Sequence, residues 1–412
     1  MTTPGIPSYP RHPASASYDV AIVGGATSGS AIAWFLASNP DFKGSVLVVE
    51  RDPSLSYSAT QASNNCMRQQ FATEINVKIA QYAAEFVKQF RENLGCEDGD
   101  GVPNVPIRNF GYLYLAADDE FADTLREDQR LQAACGAGTR IVSPEEIADA
   151  YPFYDVSDVK AGSLNTVDEG AYDALAVARG LRQKARALGV DYIHNEVTGI
   201  KLDGSNITSI VLKTGEVVGV GTVVNAAGTR AAHVSRLAGV DLPIEARRRY
   251  TFIFSVDEPL DRDLPLTIDP TGIHMRSYRE KDYLVGCPPT GSDVAVDVED
   301  FSYGEADIWK SWVLPVLARR VPQFATARVT ESWMGHYEFN TFDHNAIIGP
   351  HVEVGNLLFC VGFSGHGSQQ APACGRGVAE LITYGEFRTL DLSALSYARI
   401  ARNEPLVERA VI

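Results

Sequence analysis

The feature that most constrains this chain is the run from Tyr18 to Glu50. Tyr18-Asp-Val-Ala-Ile-Val-Gly24 is a short β-branched apolar stretch that stops at glycine, and it reads as a buried strand. Gly24-Gly25-Ala26-Thr27-Ser28-Gly29 makes a tight turn, Ala31 to Ala37 reads as a helix, and Ser45 to Glu50 is a second buried strand ending on a carboxylate. This order predicts a dinucleotide-binding βαβ unit. Its turn aims backbone N–H groups and a helix N-terminus at a pyrophosphate. Glu50, about twenty residues on, can accept hydrogen bonds from a ribose diol. In the G-x-G-x-x-G pattern the middle position is Ala26, whose methyl crowds the pyrophosphate slightly. A bare glycine motif also fits a plain tight turn; the strands, helix and acid together favour cofactor binding.

A chain of 412 residues exceeds one ordinary core, so two domains are expected. Hydrophobic content of 45% and charged content of 21% are those of a globular protein. No stretch stays apolar for the ~18 residues of a membrane span, so no integral membrane segment is expected. The formal charge of −16 disfavours nucleic acid and anionic membranes as partners, while leaving room for a local basic pocket. Residues 1–17, rich in Pro, Ser and Thr and without the apolar core of a secretory signal, read as a flexible arm. Six cysteines without C-x-x-C pairs suggest neither a disulfide framework nor a zinc site, and point to a reducing cytoplasm.

The loop from Ser54 to Cys66 is rich in small hydroxyl and amide side chains, which either hydrogen-bond a ligand or face solvent. Helices are expected over 75–94, 120–135 and 173–188, with Ser143-Pro-Glu-Glu146 as another helix start. Strands are expected at 110–116, 190–193, 196–200, 207–212 and 217–220. Gly221-Thr-Val-Val-Asn-Ala-Ala-Gly228 reads as a separate buried strand whose small final residues admit a close ligand or tight packing. Three arginines open the 244–256 strand. Period 2 puts Arg247, Arg249 and Thr251 on one side and Arg248, Tyr250, Phe252 and Phe254 on the other. A hairpin follows over 271–286 and a helix over 306–317. A strand over 355–362, the turn Phe363-Ser-Gly-His-Gly-Ser-Gln-Gln370 and a helix over 371–385 then repeat the strand–turn–helix arrangement. The expected class is α/β, α+β overall. A Rossmann-like domain takes 1–104, 144–240 and 331–412, and an antiparallel-sheet substrate domain takes 105–143 and 241–330.

Gly24–Gly29 with Glu50, Val223-Val-Asn-Ala-Ala-Gly228, and Gly362-Phe-Ser-Gly-His-Gly367, in this order, resemble the FAD-dependent amine and amino-acid oxidoreductases of the D-amino-acid oxidase superfamily. Asn340 to Gly375 and Met67-Arg-Gln-Gln-Phe71 look most like the respiratory-complex-I-associated branch. The resemblance implies that the AMP half of FAD lies on Gly24, Gly25, Ala26, Thr27, Ser28, Gly29, Glu50 and Arg51. Loop residues Ser58, Gln61, Ser63, Asn64, Cys66 and Met67 would wrap the ribitol and ring system. Val197 would present backbone to the adenosine half, and Ala227 and Gly228 would line the cofactor. Gly365, His366, Gly367, Ser368 and Gln369 would hold the flavin pyrimidine. His336 lies near the position where monomeric sarcosine oxidases carry a flavin-linking cysteine, so non-covalent FAD is expected. The 282–286 strand lacks the lysine that supports oxygen reduction in those oxidases, which leaves oxygen or a respiratory electron carrier as acceptor.

On this resemblance, hydride transfer from the carbon beside a neutral amine to flavin N5 gives an imine that hydrolyses to an oxo acid and an amine. A substrate carboxylate needs a cation, and Arg68, Arg248 and Arg276 are the candidates, each otherwise an ion pair at a surface or domain interface. His366 contacts the flavin through its ring or backbone. His336 and Tyr250 either line a substrate cavity or pack in an aromatic core. The expected activity is FAD-dependent oxidation of a small carboxylated amine: a secondary amine or N-substituted glycine such as sarcosine or iminodiacetate. An FAD-stabilised assembly factor for a respiratory complex and a 2-hydroxy-acid dehydrogenase on the same fold remain alternatives.

Overall fold

In the computed structural model, which describes residues 9–305 and 307–410, the strand Ser17–Val23 pairs in parallel with Val46–Glu50 on one side and Val217–Asn225 on the other. Asp191–His194 extends this sheet past Val46–Glu50, and Leu357–Val361 past Val217–Asn225, both in parallel. Ile347–Pro350 closes one edge antiparallel. Parallel strands are covered on both faces, which is why they read as unbroken apolar runs; Ala21, Ile22, Leu47, Val48, Val223 and Val224 are fully buried. The helices Thr27–Ser38, Ala174–Ala187 and Gly367–Tyr384 pack together against one face.

Some local expectations shift. Val217–Asn225 is one strand, not the separate strands expected at 217–220 and 221–228. Its start pairs antiparallel with Asn206–Leu212 and its end parallel with Leu357–Val361. Its glycines do not break it because Ser17–Val23 holds register from Gly219 to Asn225. The last long helix starts at Gly367 rather than 371. The helix expected from 306 opens as a wide-turn segment, Trp309–Val313, and continues as Leu314–Arg320; position 306 lies outside the described residues. Residues 9–16 are not a loose arm. Tyr9 is buried against Tyr192 with Arg186 over its ring. His194 N donates to Pro10 O and Asn195 Nδ2 to Arg11 O. Residues 1–8 of the expected arm lie outside the described residues.

The second sheet runs Arg328–Asn340, Ile244–Ser255, Asp282–Cys287, His274–Ser277, Leu266–Ile268, Tyr112–Ala116, Ala161–Asn165 and Arg140–Val142. Its pairings are antiparallel except that of Leu266–Ile268 with Tyr112–Ala116, which is parallel. By taking in Ala161–Asn165 and all of Arg328–Asn340, it reaches past the segments 105–143 and 241–330. One face of Ile244–Ser255 buries Tyr250, Phe252 and Phe254 in an aromatic core with Tyr283 and Phe324. The other face turns Arg249 and Thr251 into a cavity shared with the first sheet.

Candidate active site

That cavity, of about 310 Å³, begins at the turn after Ser17–Val23. Gly24 adopts φ +102°. A Cβ on Gly29 would lie 1.9 Å from Gly24 O, so only glycine lets the helix start directly beneath the strand. Ala26 sits at φ −74°, ψ −155°, an ordinary conformation for alanine, so the departure from the glycine pattern strains no backbone. Glu50 Oε2 accepts from Gly25 N at 2.7 Å and Oε1 from Asp52 N at 2.7 Å. Burial pushes this carboxyl above the usual range. Glu50 therefore locks the turn as well as facing the cavity.

Orphaned polar atoms mark a site for a polar ligand. Asp52 Oδ2, Asn65 Oδ1, Arg68 Nε, His274 Nδ1 and both ring nitrogens of His336 are buried without a hydrogen-bond partner, and all five residues line the cavity. One end carries Gly24, Ala26, Thr27, Ser28, Glu50 and Arg51. The other carries Gly365 to Gln369, at the N-terminus of the Gly367–Tyr384 helix. Two helix N-termini thus open on one groove, which suits a pyrophosphate at one end and an electron-rich ring at the other. These residues fit FAD.

At the ring end, Arg68 is 3% exposed. Its Nη1 donates to Tyr112 Oη at 2.9 Å, and its Nη2 donates to His366 Nε2 at 2.8 Å and to Ala410 O. Its guanidinium lies over the ring of Phe71. Gln369 clamps the backbone, Arg68 N donating to Gln369 Oε1 and Gln369 Nε2 to Arg68 O, both at 3.1 Å. Burial and the neighbouring Arg68 hold His366 well below the usual imidazole range, so it accepts from Arg68 as a neutral ring. Behind this segment, fully buried Glu169 accepts from Gln69 N, Gln70 Nε2 and Asn165 Nδ2, and burial pushes its carboxyl up to about 7.

Across the cavity, Thr251 Oγ1 donates to Asn64 Oδ1 at 3.0 Å, and Asn64 Nδ2 to His274 Nε2 at 2.7 Å. Burial, then Arg249, Arg276 and Arg68, push His274 down to about 3. Arg249 donates to Tyr337 Oη at 2.6 Å and to Asp293 at 2.9 Å. Glu338 accepts from Gly362 N at 2.9 Å, and burial pushes it up to about 7. Over the mouth lies the 293–301 loop. Glu299 pairs with Arg51 and Arg230, and Phe301 stacks on His336 at 4.7 Å and meets Tyr57 at 4.6 Å.

Most residues named from the sequence meet here: Ser58, Ser63, Asn64, Cys66, Val197, Ala227 and Gly228 line the cavity, as do Arg68, His336 and His366. Others do not. Gly25 and Gly29 pack behind the turn, Met67 is in the helical core, and Gln61 is exposed. Arg248 and Tyr250 are on the wrong face of Ile244–Ser255, where Arg248 pairs with Asp300 and Tyr250 meets Tyr303. Arg276 sits behind the loop, donating to Asn64 O and Ser277 O. Arg249, Tyr112, His274, Tyr337 and Glu338 also line the cavity, beyond the residues expected from the sequence. For Arg249 the alternation along its strand was the available signal; the others depend on pairing between distant strands.

The family model described as FAD dependent oxidoreductase (DAO) matches residues 19–381. FAD-dependent oxidoreductase domain-containing protein 1 of Xenopus laevis is 34% identical over 430 residues, which cover 96% of this chain and 85% of that protein. Mitochondrial sarcosine dehydrogenase of Mus musculus is 24% identical over 389 residues, 92% of this chain and 41% of that protein. The crystal structure of L-proline dehydrogenase from P. horikoshii matches with a TM-score of 0.79 and 26% identity, over 96% of this chain and 100% of that one. With a matching model over most of its length and a groove built for the cofactor, this chain belongs to the DAO family of FAD-dependent oxidoreductases.

Proposed function

We propose that the protein oxidises the C–N bond of a small amine bearing a carboxylate, with secondary amino acids as the preferred class. The observation that carries this reading is Arg68. Its guanidinium is buried in the cavity wall, and among the described residues no carboxylate lies within 4.0 Å of it. A buried cation with no carboxylate paired directly to it favours an anionic ligand, and the planar fork matches a carboxylate. Tyr112 and His366 hold the fork, and neutral His366 adds no competing charge. FAD, when bound, takes up the two electrons of the oxidation. The helix end at Gly367 favours negative charge in the ring region. Phe301, stacked on His336 and in contact with Tyr57, lies at the mouth.

Sarcosine and L-proline, named in two of the relatives, are both secondary amino acids, and iminodiacetate belongs to the same chemical class. The imine product hydrolyses in water to an oxo acid and an amine. Oxygen or an electron-carrying partner takes the electrons onward. FAD is held without a covalent bond, His336 standing near the expected position of a linking cysteine. All six cysteines are unpaired, which supports a reducing, cytoplasmic setting. The test mixes FAD-loaded protein anaerobically with sarcosine, L-proline, iminodiacetate and 2-hydroxy acids, then follows peroxide and dye reduction in air. Bleaching of the flavin band by an amine is the expected result, with an amine released from sarcosine or iminodiacetate and a single ring-opened amino-oxo acid formed from L-proline. Bleaching by a 2-hydroxy acid alone, or by none of them, refutes the proposal.

A further inference from the structure

The last described residues return to the active site. Leu406 N donates to Asp343 Oδ2 at 3.1 Å, and Glu408 N to Asp343 O at 3.0 Å. Glu408 is 0% exposed, although it lies two residues from the end of the described chain. Its Oε1 accepts from Ala72 N at 2.8 Å and from Ala410 N at 3.0 Å. Its Oε2 accepts from Thr73 Oγ1 at 2.9 Å and Asn76 Nδ2 at 2.8 Å. Arg409 pairs with Asp128 and Glu127 on the outer side. So fixed, the segment sets Ala410 O against Arg68 Nη2 and 3.1 Å from His366 Nε2.

A buried carboxylate is retained where its donors are complete, and here four neutral donors satisfy it. Ala72 and Thr73 also lie just after the segment that carries Arg68, so Glu408 ties the tail to the same stretch of chain that presents the guanidinium. A carbonyl on one Nη2 leaves the fork less freedom to turn than Tyr112 and His366 alone would. Such a contact acts on orientation and not on charge.

We propose that residues 404–410 form a positioning strap: Glu408 anchors the tail, and the Ala410 carbonyl orients Arg68 to receive the substrate carboxylate. Glu408 is thus a positioning residue for a ligand it does not touch. The inference rests on Arg68 as the carboxylate-binding group, and the experiment separates the two.

FAD-loaded wild type, Glu408→Gln, Glu408→Ala and Arg68→Lys are titrated with pyrrole-2-carboxylate, benzoate and acetate, following the flavin absorbance. Pyrrole, which lacks the carboxylate, is the control. The expected result is a dissociation constant at least tenfold weaker for the carboxylates in Glu408→Ala, with a smaller loss in Glu408→Gln, which keeps one acceptor oxygen. Pyrrole binding and the FAD-to-protein ratio stay within twofold of wild type. Thermal melts accompany each variant, and if Glu408→Ala does not fold, Glu408→Gln carries the comparison. A general structural role would weaken pyrrole and carboxylates alike, and that result overturns the strap. Loss in Arg68→Lys without loss in either Glu408 variant also overturns it, while leaving the Arg68 reading intact. If no carboxylate perturbs the wild-type flavin, or Arg68→Lys binds as wild type does, the Arg68 reading fails and the strap with it.

Discussion

Glu50→Gln isolates the acid at the head of the groove. The carboxylate accepts one backbone N–H on each oxygen, from Gly25 and from Asp52, both at 2.7 Å. An amide has one oxygen, so one of these donors must face an NH₂ group. A hydrogen bond to a charged group is worth about 1.5–3 kcal/mol, and a donor left against a donor costs a similar amount. Against this, the substitution removes a charge that burial already disfavours. The net is toward the lower value, about 1.5 kcal/mol, or roughly tenfold in affinity. The loss falls on the glycine turn that faces the pyrophosphate, so it appears as weaker FAD binding. Apoprotein titrated with FAD, followed by quenching of flavin fluorescence, reads it directly, and melting of the apoprotein controls for the fold. A dissociation constant within twofold of wild type, with an unchanged melt, would refute the coupling between Glu50 and the turn.

Gly29→Ala places a Cβ 1.9 Å from Gly24 O; overpacking of this kind costs about 1–3 kcal/mol, and the purified variant should carry little FAD by its visible spectrum. Wild-type content would count against the steric argument. Glu338 is buried with its carboxyl raised to about 7. A raised folded-state value means that its contribution is full below the ordinary carboxylate range and lost as pH rises through about 7, on the order of 3 kcal/mol. The wild-type melting temperature should therefore fall more steeply between pH 5 and 8 than that of Glu338→Gln; parallel profiles refute this. Glu299→Gln removes an exposed acid that bridges Arg51 and Arg230 at the mouth. Exposed pairs contribute about 0–1 kcal/mol and are screened by salt. FAD should dissociate up to about fivefold faster at low salt, and at the wild-type rate at high salt, by stopped-flow fluorescence.

The glycine turns and buried parallel strands were legible because their signals are local: an apolar run, a glycine that must have no Cβ, an acid at a fixed distance. Alternation on Ile244–Ser255 correctly separated Arg249 and Thr251 from Arg248 and Tyr250. It does not say which face meets the groove; the cavity takes Arg249, while Arg248 and Tyr250 face the aromatic core side. Arg68 was found through its neighbours in sequence, yet its partners come from Tyr112, His366 and Ala410. Those pairings close over 44, 298 and 342 residues and leave no short-range trace. The ordering of residues 9–16 leaves no local trace for the same reason, since their partners Tyr192 and His194 belong to the far edge of the sheet.

The strand order has a consequence for biosynthesis. Ser17–Val23 is made well before its neighbour Val217–Asn225, which follows about 200 residues later, and the second glycine turn, which follows more than 300 residues later. At about 5–20 residues per second, the first half of the cradle waits tens of seconds for the rest. Until then its apolar edge is a target for holding chaperones. Loading of the vitamin-derived cofactor thus waits until both glycine turns have been made, because neither end of the groove alone encloses it.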